Sequence, residues 1–289
     1  MHVVTLIARP GTLEPGLVEN LRNAWGGGDV LWLSPDEAAE FPVSARPGNL
    51  DTVRAELDAL GVDLNVQPAE GRRKAMLLAD MDSTMIRQEC IDELAAAAGI
   101  GERVAEITAR AMNGELDFEG ALIERVGLLR GLDLQVIDRV LAERITCMPG
   151  GKALVATMKA QGAHAVLVSG GFTAFADPVA QALGFDDHRA NVLLEEAGTL
   201  TGDVARPILG RAAKVQALEE TTARLGLSER DVLAVGDGAN DLGMLGRAGS
   251  GVALHAKPPV AAQCDLRVNH GDLTALLFLQ GYAREDFAD

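Results

Sequence analysis

Cysteine, aromatic residues and positive charge are all scarce in this chain of 289 residues. The three cysteines, Cys90, Cys147 and Cys264, are odd in number, far apart and without a C-x-x-C pair. That speaks against a disulfide framework or a thiolate zinc site and fits reduced thiols in a cytoplasmic protein. Only 26 Lys and Arg stand against 42 Asp and Glu, a net charge of −16. Nucleic acids and anionic membranes are therefore unfavourable partners, because both are polyanions. A small anionic substrate is still allowed if positive charge gathers at one place. Long apolar runs are missing as well. The stretch from Ala160 to Ala176 is interrupted by Gln161, His164, Ser169 and Gly170-Gly171, and it reads as a buried strand with a loop rather than a membrane span. The first residues lack the basic start and cleavage site of a signal peptide, and no repeat of 20–50 residues is visible. None of His2, His164, His188, His255 and His270 falls in a ligand spacing, and no role is assigned to them.

What is present is ordinary globular composition, 48% hydrophobic and 24% charged, in a length that suits one large domain or two ordinary ones. Residues 1–73 differ in texture from the rest. They hold Trp25, Trp32, Gly26-Gly27-Gly28 and most of the prolines. Val3–Ala8, Asp29–Leu33 and Val62–Val66 read as strands, and Leu13–Ala24 and Leu50–Leu60 as helices, giving a small α+β domain that ends in a linker at Gln67–Lys74. From residue 74 the pattern becomes parallel α/β. The runs Ala75–Ala79, Ala165–Val168 and Val232–Val235 have the continuous hydrophobicity of strands covered on both faces. Each is followed at once by polar chemistry: Asp80-Met81-Asp82-Ser83-Thr84, Ser169-Gly170-Gly171, and Gly236-Asp237-Gly238-Ala239-Asn240-Asp241. Ligands of open parallel sheets bind beyond the carboxyl ends of the strands, so the three ends should share one crevice. Between the first two runs lies a helical insert, about residues 85–147, with helices expected at Gln88–Ala98, Glu102–Met112, Asp117–Arg130 and Asp133–Arg144. Its place directly after a catalytic strand suits a lid. Asn191–Glu196 and Thr199–Val204 read as a hairpin across Ala197-Gly198.

Taken singly, these motifs are ambiguous. An Asp-x-Asp pair can serve a metal or a turn, the Gly-Asp-Gly run can be a turn with an Asx cap, and many Ser-Gly-Gly segments are only loops. In this order, and with Lys214 between the second and the last, they resemble the haloacid-dehalogenase-like phosphatases, and within these the phosphoserine phosphatases. The resemblance covers about Lys74 to Gly281. It includes Glu89-Cys90-Ile91-Asp92-Glu93-Leu94 and Met112–Phe118 with Arg125-Val126 in the insert, which look like the family's substrate-facing cap.

That resemblance implies an α/β fold: a Rossmann-like core with a parallel sheet, a helical cap after the first core strand, and an ACT-like domain at the N-terminus. It implies hydrolysis of O-phospho-L-serine to serine and phosphate, the last step of serine biosynthesis. Asp80 would be the nucleophile and Asp82 the proton donor and base. Mg²⁺ would sit on Asp80, the Asp82 carbonyl and Asp237, with Asp241 behind. Ser169, Gly170, Lys214 and Asn240 would hold the phosphoryl group, Glu89 the substrate ammonium, and Arg125 its carboxylate, while Met112 and Phe118 would wall the site. The five acids and two bases among these leave the crevice at −3, so a metal should precede the substrate. Val215 and Gly243 depart from the family pattern at positions that shape loops. The alternatives are a phosphotransferase of the same fold, action on another phospho-amino acid, or a catalytically silent amino-acid sensor or scaffold. The N-terminal domain reads equally as regulatory or as a packing or homodimer-forming unit.

Overall fold

A computed structural model describes residues 1–112 and 115–288, without the side chain of Met112. The chain opens with β1 (His2–Ala8), α1 (Pro15–Ala24), β2 (Leu31–Ser34), β3 (Ala38–Val43), α2 (Leu50–Asp58) and β4 (Val62–Pro68). These strands form one sheet in the order β2-β3-β1-β4, with β1 antiparallel to both β3 and β4. The sequence reading found three of the four strands. Strand β3 was missed because Ala-Ala-Glu-Phe-Pro-Val has little β-branched character and contains a proline.

Strand β4, Val-Asp-Leu-Asn-Val-Gln-Pro, alternates as though one face met water. Val62, Leu64 and Val66 join the N-terminal core with Val18, Leu21 and Phe41. The polar face, however, is also buried, against the rest of the chain. Asp63 accepts from the backbone N–H groups of Asn269, His270 and Gly271 at 2.7, 3.0 and 2.9 Å. Asn65 accepts from the Arg267 N–H and donates to the Arg267 carbonyl, both at 2.9 Å. Gln67 donates to the Leu279 carbonyl at 2.7 Å. These polar groups leave water for protein partners, and Ile7, Leu33 and Ala38 add apolar contact by joining the larger core of the rest of the chain, whereas the buried Thr5 hydroxyl finds no partner among the described residues.

The second part continues through β5 (Met76–Ala79), α3 (Cys90–Ala97), α4 (Gly101–Met112), α5 (Phe118–Gly127), α6 (Gln135–Glu143), α7 (Gly151–Ala160), β6 (His164–Phe172), α8 (Thr173–Leu183) and β7 (Asp187–Asn191). It goes on with β8 (Leu193–Glu196), β9 (Thr199–Val204), α9 (Arg211–Leu225), β10 (Val232–Gly236), α10 (Leu242–Arg247), β11 (Ser250–Leu254), α11 (Pro258–Ala261), β12 (Leu266–Val268) and α12 (Ala275–Leu279). Six strands make a sheet in the order β12-β11-β10-β5-β6-β7, with parallel pairing throughout. Side chains of β5, β6 and β10 divide between two apolar clusters, one on each face, as their continuous hydrophobicity requires. The register aligns Ala79 with Val235 on one side and Leu167 on the other, so the three polar strand ends lie side by side.

The helical insert holds α3 to α6. Asp117 caps α5 by accepting from Gly120 N–H, while Asp133 accepts from Gln135 N–H just ahead of α6. The insert's two ends meet at a bridge between Ile86 and Cys147, beside which Met148 N–H donates to the Met85 carbonyl. Its α5–α6 turn is bonded to the β8–β9 hairpin through Gly131 and Leu200. The hairpin begins at Leu193, not Asn191. Asn191 belongs to β7, paired in parallel with β6. The Ala160–Ala176 stretch is split among α7, β6 and α8, and among the described residues no helix is long and apolar enough to cross a membrane.

Candidate active site

Asp80 leaves the end of β5 and is held there by its own N–H, which donates to the Val235 carbonyl on β10 at 3.0 Å. Its Oδ1 accepts from the Met81 N–H at 2.8 Å and lies 2.5 Å from Lys214 Nζ. Lys214, on α9, is 2% exposed and reaches Asp241 Oδ1 at 2.6 Å. Asp241 Oδ2 in turn accepts from the Gly238 N–H. Gly236 is required here, since a Cβ on it would fall 2.4 Å from Asp241 Cγ. Asp237 accepts from Thr84 Oγ1 at 3.1 Å.

Asp82 faces a different set of donors. Its Oδ1 accepts from the Cys90 N–H at 3.0 Å, and its Oδ2 from Ser169 Oγ at 3.2 Å. Ser169 Oγ accepts from the Gly171 N–H at 2.8 Å. A Cβ on Gly171 would come within 2.7 Å of Asp82 Oδ2, so the loop passes the carboxylate only as glycine. Ser83, in the left-handed region at φ 57°, turns its hydroxyl to donate to Glu89 Oε1 at 2.7 Å. Glu89 stands just before α3, on the insert side.

These groups surround a cavity of about 240 Å³ lined by Asp80, Asp82, Glu89, Phe118, Arg125, Gly170, Asp237 and Asn240, together with Ile91, Leu122, Phe172 and Lys257. Ser169, Lys214 and Asp241 lie buried beneath its floor. Phe118 rests across two glycines: a Cβ at Gly170 or Gly210 would meet its ring at 3.1 Å. Arg125 donates from Nε to the Ala121 carbonyl, and its terminal nitrogens make no hydrogen bond among the described residues. The side chain of Met112 lies outside the described residues. Lys257 was missed in the sequence. It follows β11, whose end adjoins β10, so the rule that ligands sit at strand ends could have found it.

Electrostatically the cavity floor has too many anions. Burial pushes the carboxyls of Asp80, Asp82 and Asp237 above their usual range, and neighbouring acids add to this for Asp80 and Asp237. Glu89 is pushed up to about 7, first by burial and then by the Asp82 charge. Asp80 and Asp241 together keep the Lys214 ammonium charged despite its burial. Asp80, Asp237 and Asp241 can each direct a carboxylate oxygen so that all lie within 4.8 Å of one another. Three hard oxygen donors, two of them sharing one ammonium, fit a divalent metal ion, which would supply the missing positive charge.

The sequence profile of the haloacid dehalogenase-like hydrolases matches residues 77–246, a span that contains every strand end just described except that of β11. The chain belongs to the haloacid dehalogenase-like hydrolases. Among members of this family it is 42% identical over 98% of its length to phosphoserine phosphatase from Streptomyces coelicolor, of which the match covers 71%. It superposes on a haloacid dehalogenase-family hydrolase from Salmonella enterica serovar Typhi with a TM-score of 0.87 and 28% identity, over 96% of this chain and 97% of that one. A structure of a phospho-aspartyl intermediate analogue of phosphoserine phosphatase is 38% identical, with a TM-score of 0.66, and covers 71% of this chain and 98% of its own.

Proposed function

We propose that the protein hydrolyses O-phospho-L-serine to serine and phosphate, as the last step of serine biosynthesis in the cytoplasm. The observation that carries this reading is the pairing across one small cavity of Asp80, placed to attack phosphorus, with Glu89 and Arg125, placed to hold the two charged ends of an amino acid. The likeness to phosphoserine phosphatases supports it. The working unit would be residues 74–289, with residues 85–147 as its cap and residues 1–73 as an ACT-like appendage.

Asp80 Oδ1 is occupied by Lys214 and the Met81 N–H, which leaves Oδ2 for the attack. As Oδ2 bonds to phosphorus, the bond from phosphorus to the serine oxygen breaks, and Asp82 delivers the proton that oxygen needs. The raised carboxyl of Asp82 keeps that proton available. Asp82 then takes a proton from a water molecule, whose oxygen displaces Asp80 from phosphorus and restores the free carboxylate. Lys214, Ser169 and the Gly170 N–H hold the phosphoryl oxygens, and Asn240 orients them. Mg²⁺, held by Asp80, the Asp82 main chain and Asp237 with Asp241 behind, would neutralise charge between carboxylate and phosphate. Phe118 excludes water from above.

Phosphate release from a panel of phosphorylated amino acids and sugars, with and without Mg²⁺, tests this reading. Phosphoserine should be the best substrate and should need the metal. A flat response to phosphoserine, or faster turnover of a sugar phosphate, would overturn it.

A further inference from the structure

The pairing between β6 and β7 is interrupted: Val168 pairs with Arg189, and the next registered pair is Phe172 with Asn191. Ser169, Gly170 and Gly171 bulge out between them. The side chain of Asn191, 2% exposed, fills the gap. Its Nδ2 donates to the Gly170 carbonyl at 2.9 Å and to the Leu209 carbonyl at 3.2 Å, and its Oδ1 accepts from the Leu209 N–H at 2.7 Å. All four hydrogen-bonding directions of a carboxamide cannot be met by one strand, but here three are met by two separate loops. One loop carries Ser169. The other leads directly into α9 and Lys214.

The peptide between Gly170 and Gly171 has its carbonyl on Asn191 and its N–H on Ser169 Oγ. With that lone pair occupied, the Ser169 hydroxyl directs its one proton to Asp82 Oδ2, from which it would turn to a phosphoryl oxygen when substrate enters. A donor on the carbonyl also polarises the same peptide and strengthens its N–H as a donor. We propose that Asn191 is a positioning residue for phosphoryl transfer: through the Gly170–Gly171 peptide it sets the Ser169 hydroxyl against Asp82, and through Leu209 it fixes the approach of Lys214. This rests on the roles given to Ser169, Asp82 and Lys214 above.

Two substitutions test it. Asn191→Ala removes every bond, whereas Asn191→Asp keeps the acceptor for Leu209 N–H and turns a second oxygen on the two carbonyls. With Mg²⁺ present, each should lower kcat/KM for phosphoserine by about 100-fold, mostly through kcat, as expected when reacting groups are misplaced by about an ångström. Binding of orthovanadate, a mimic of the transferring phosphoryl group, should weaken by about 10-fold or more relative to wild type. A lower Tm with unchanged kcat and unchanged vanadate affinity would overturn the proposal, because a purely structural role predicts that pattern. Failure of both variants to fold would overturn it too. If the wild-type protein does not hydrolyse phosphoserine, the substrate reading fails, and the comparison of vanadate affinities still decides the role of Asn191.

Discussion

Asp63 and Asp80 are almost equally shut off from solvent, at 4% and 5% exposure, yet their surroundings differ in kind. Asp63, on the seam between the two sheets, faces three backbone N–H groups on one loop. Those donors cannot titrate or move apart without breaking the loop, and both carboxylate oxygens are committed. Asp80 faces a lysine that it shares with another acid, and among the described residues its second oxygen accepts no hydrogen bond. Burial alone therefore does not mark a reactive carboxylate. Asp80 differs in facing a side-chain ammonium beside a single backbone N–H, and in an oxygen that accepts no hydrogen bond among the described residues. The same distinction separates the two clusters of potential metal ligands, Asp58-Asp63-His270 and Asp80-Asp237-Asp241. In the first, the oxygens of Asp63 are already spent.

The largest effect expected from this contrast is at Asp80. Asp80→Asn should cut turnover by at least about 1,000-fold while the far-ultraviolet circular dichroism stays unchanged. Substantial activity in that variant would remove Asp80 as nucleophile. At Asp63 the reverse is expected. Asp63→Asn sets an NH₂ group against backbone donors and should cost about 1–3 kcal/mol of stability in a urea melt, with kcat and KM unaltered below the transition. A kinetic defect without a stability defect would erase the distinction between the two aspartates.

Arg125→Ala should raise KM for phosphoserine by about 10-fold or more, the worth of a charged hydrogen bond, and leave a phosphate ester lacking the carboxylate nearly unaffected. Equal losses on both substrates would separate Arg125 from substrate recognition. The smallest effect is thermal. Asp80, Asp82, Glu89 and Asp237 all have raised folded-state values. Their protonated forms therefore favour the apo fold, a contribution that is complete below the ordinary carboxylate range and lost as pH rises, through about 7 for Glu89. A divalent ion held by Asp80 and Asp237 would replace the protons of those two carboxyls. The gain in Tm on adding Mg²⁺ should thus be a few degrees greater at about pH 8 than at about pH 5. A gain that shrinks with rising pH would show that the cation binds elsewhere.

The parallel sheet and the meeting of its three polar strand ends were legible because β5, β6 and β10 carry unbroken apolar runs that stop at acids, a serine and glycines. Local periodicity and end chemistry sufficed there. Strand β3 was not legible, since a segment rich in alanine and containing a proline takes its conformation from β1 and β2 on either side of it. The place of Lys257 beside the cavity, and the partners of Asn191 and of the polar face of β4, escaped for a related reason. Each acts through residues distant in sequence, and a lone lysine, asparagine or alternating strand has many commoner explanations. The acids, the serine and the glycines at the ends of β5, β6 and β10 were found because they come in clusters on single strand ends. The residues that hold those clusters in place come singly.

The seam also guards solubility. Strand β12 is the outermost of the parallel sheet, and an outermost strand offers its free amides and carbonyls to any extended chain that passes. Asn65 occupies both outward groups of Arg267 with a single carboxamide, which ends the ladder because a side chain has no next residue to offer. A chain trimmed of residues 1–73 would lose that stopper. Even with the cavity at the strand ends intact, it would present an open template for edge-to-edge aggregation.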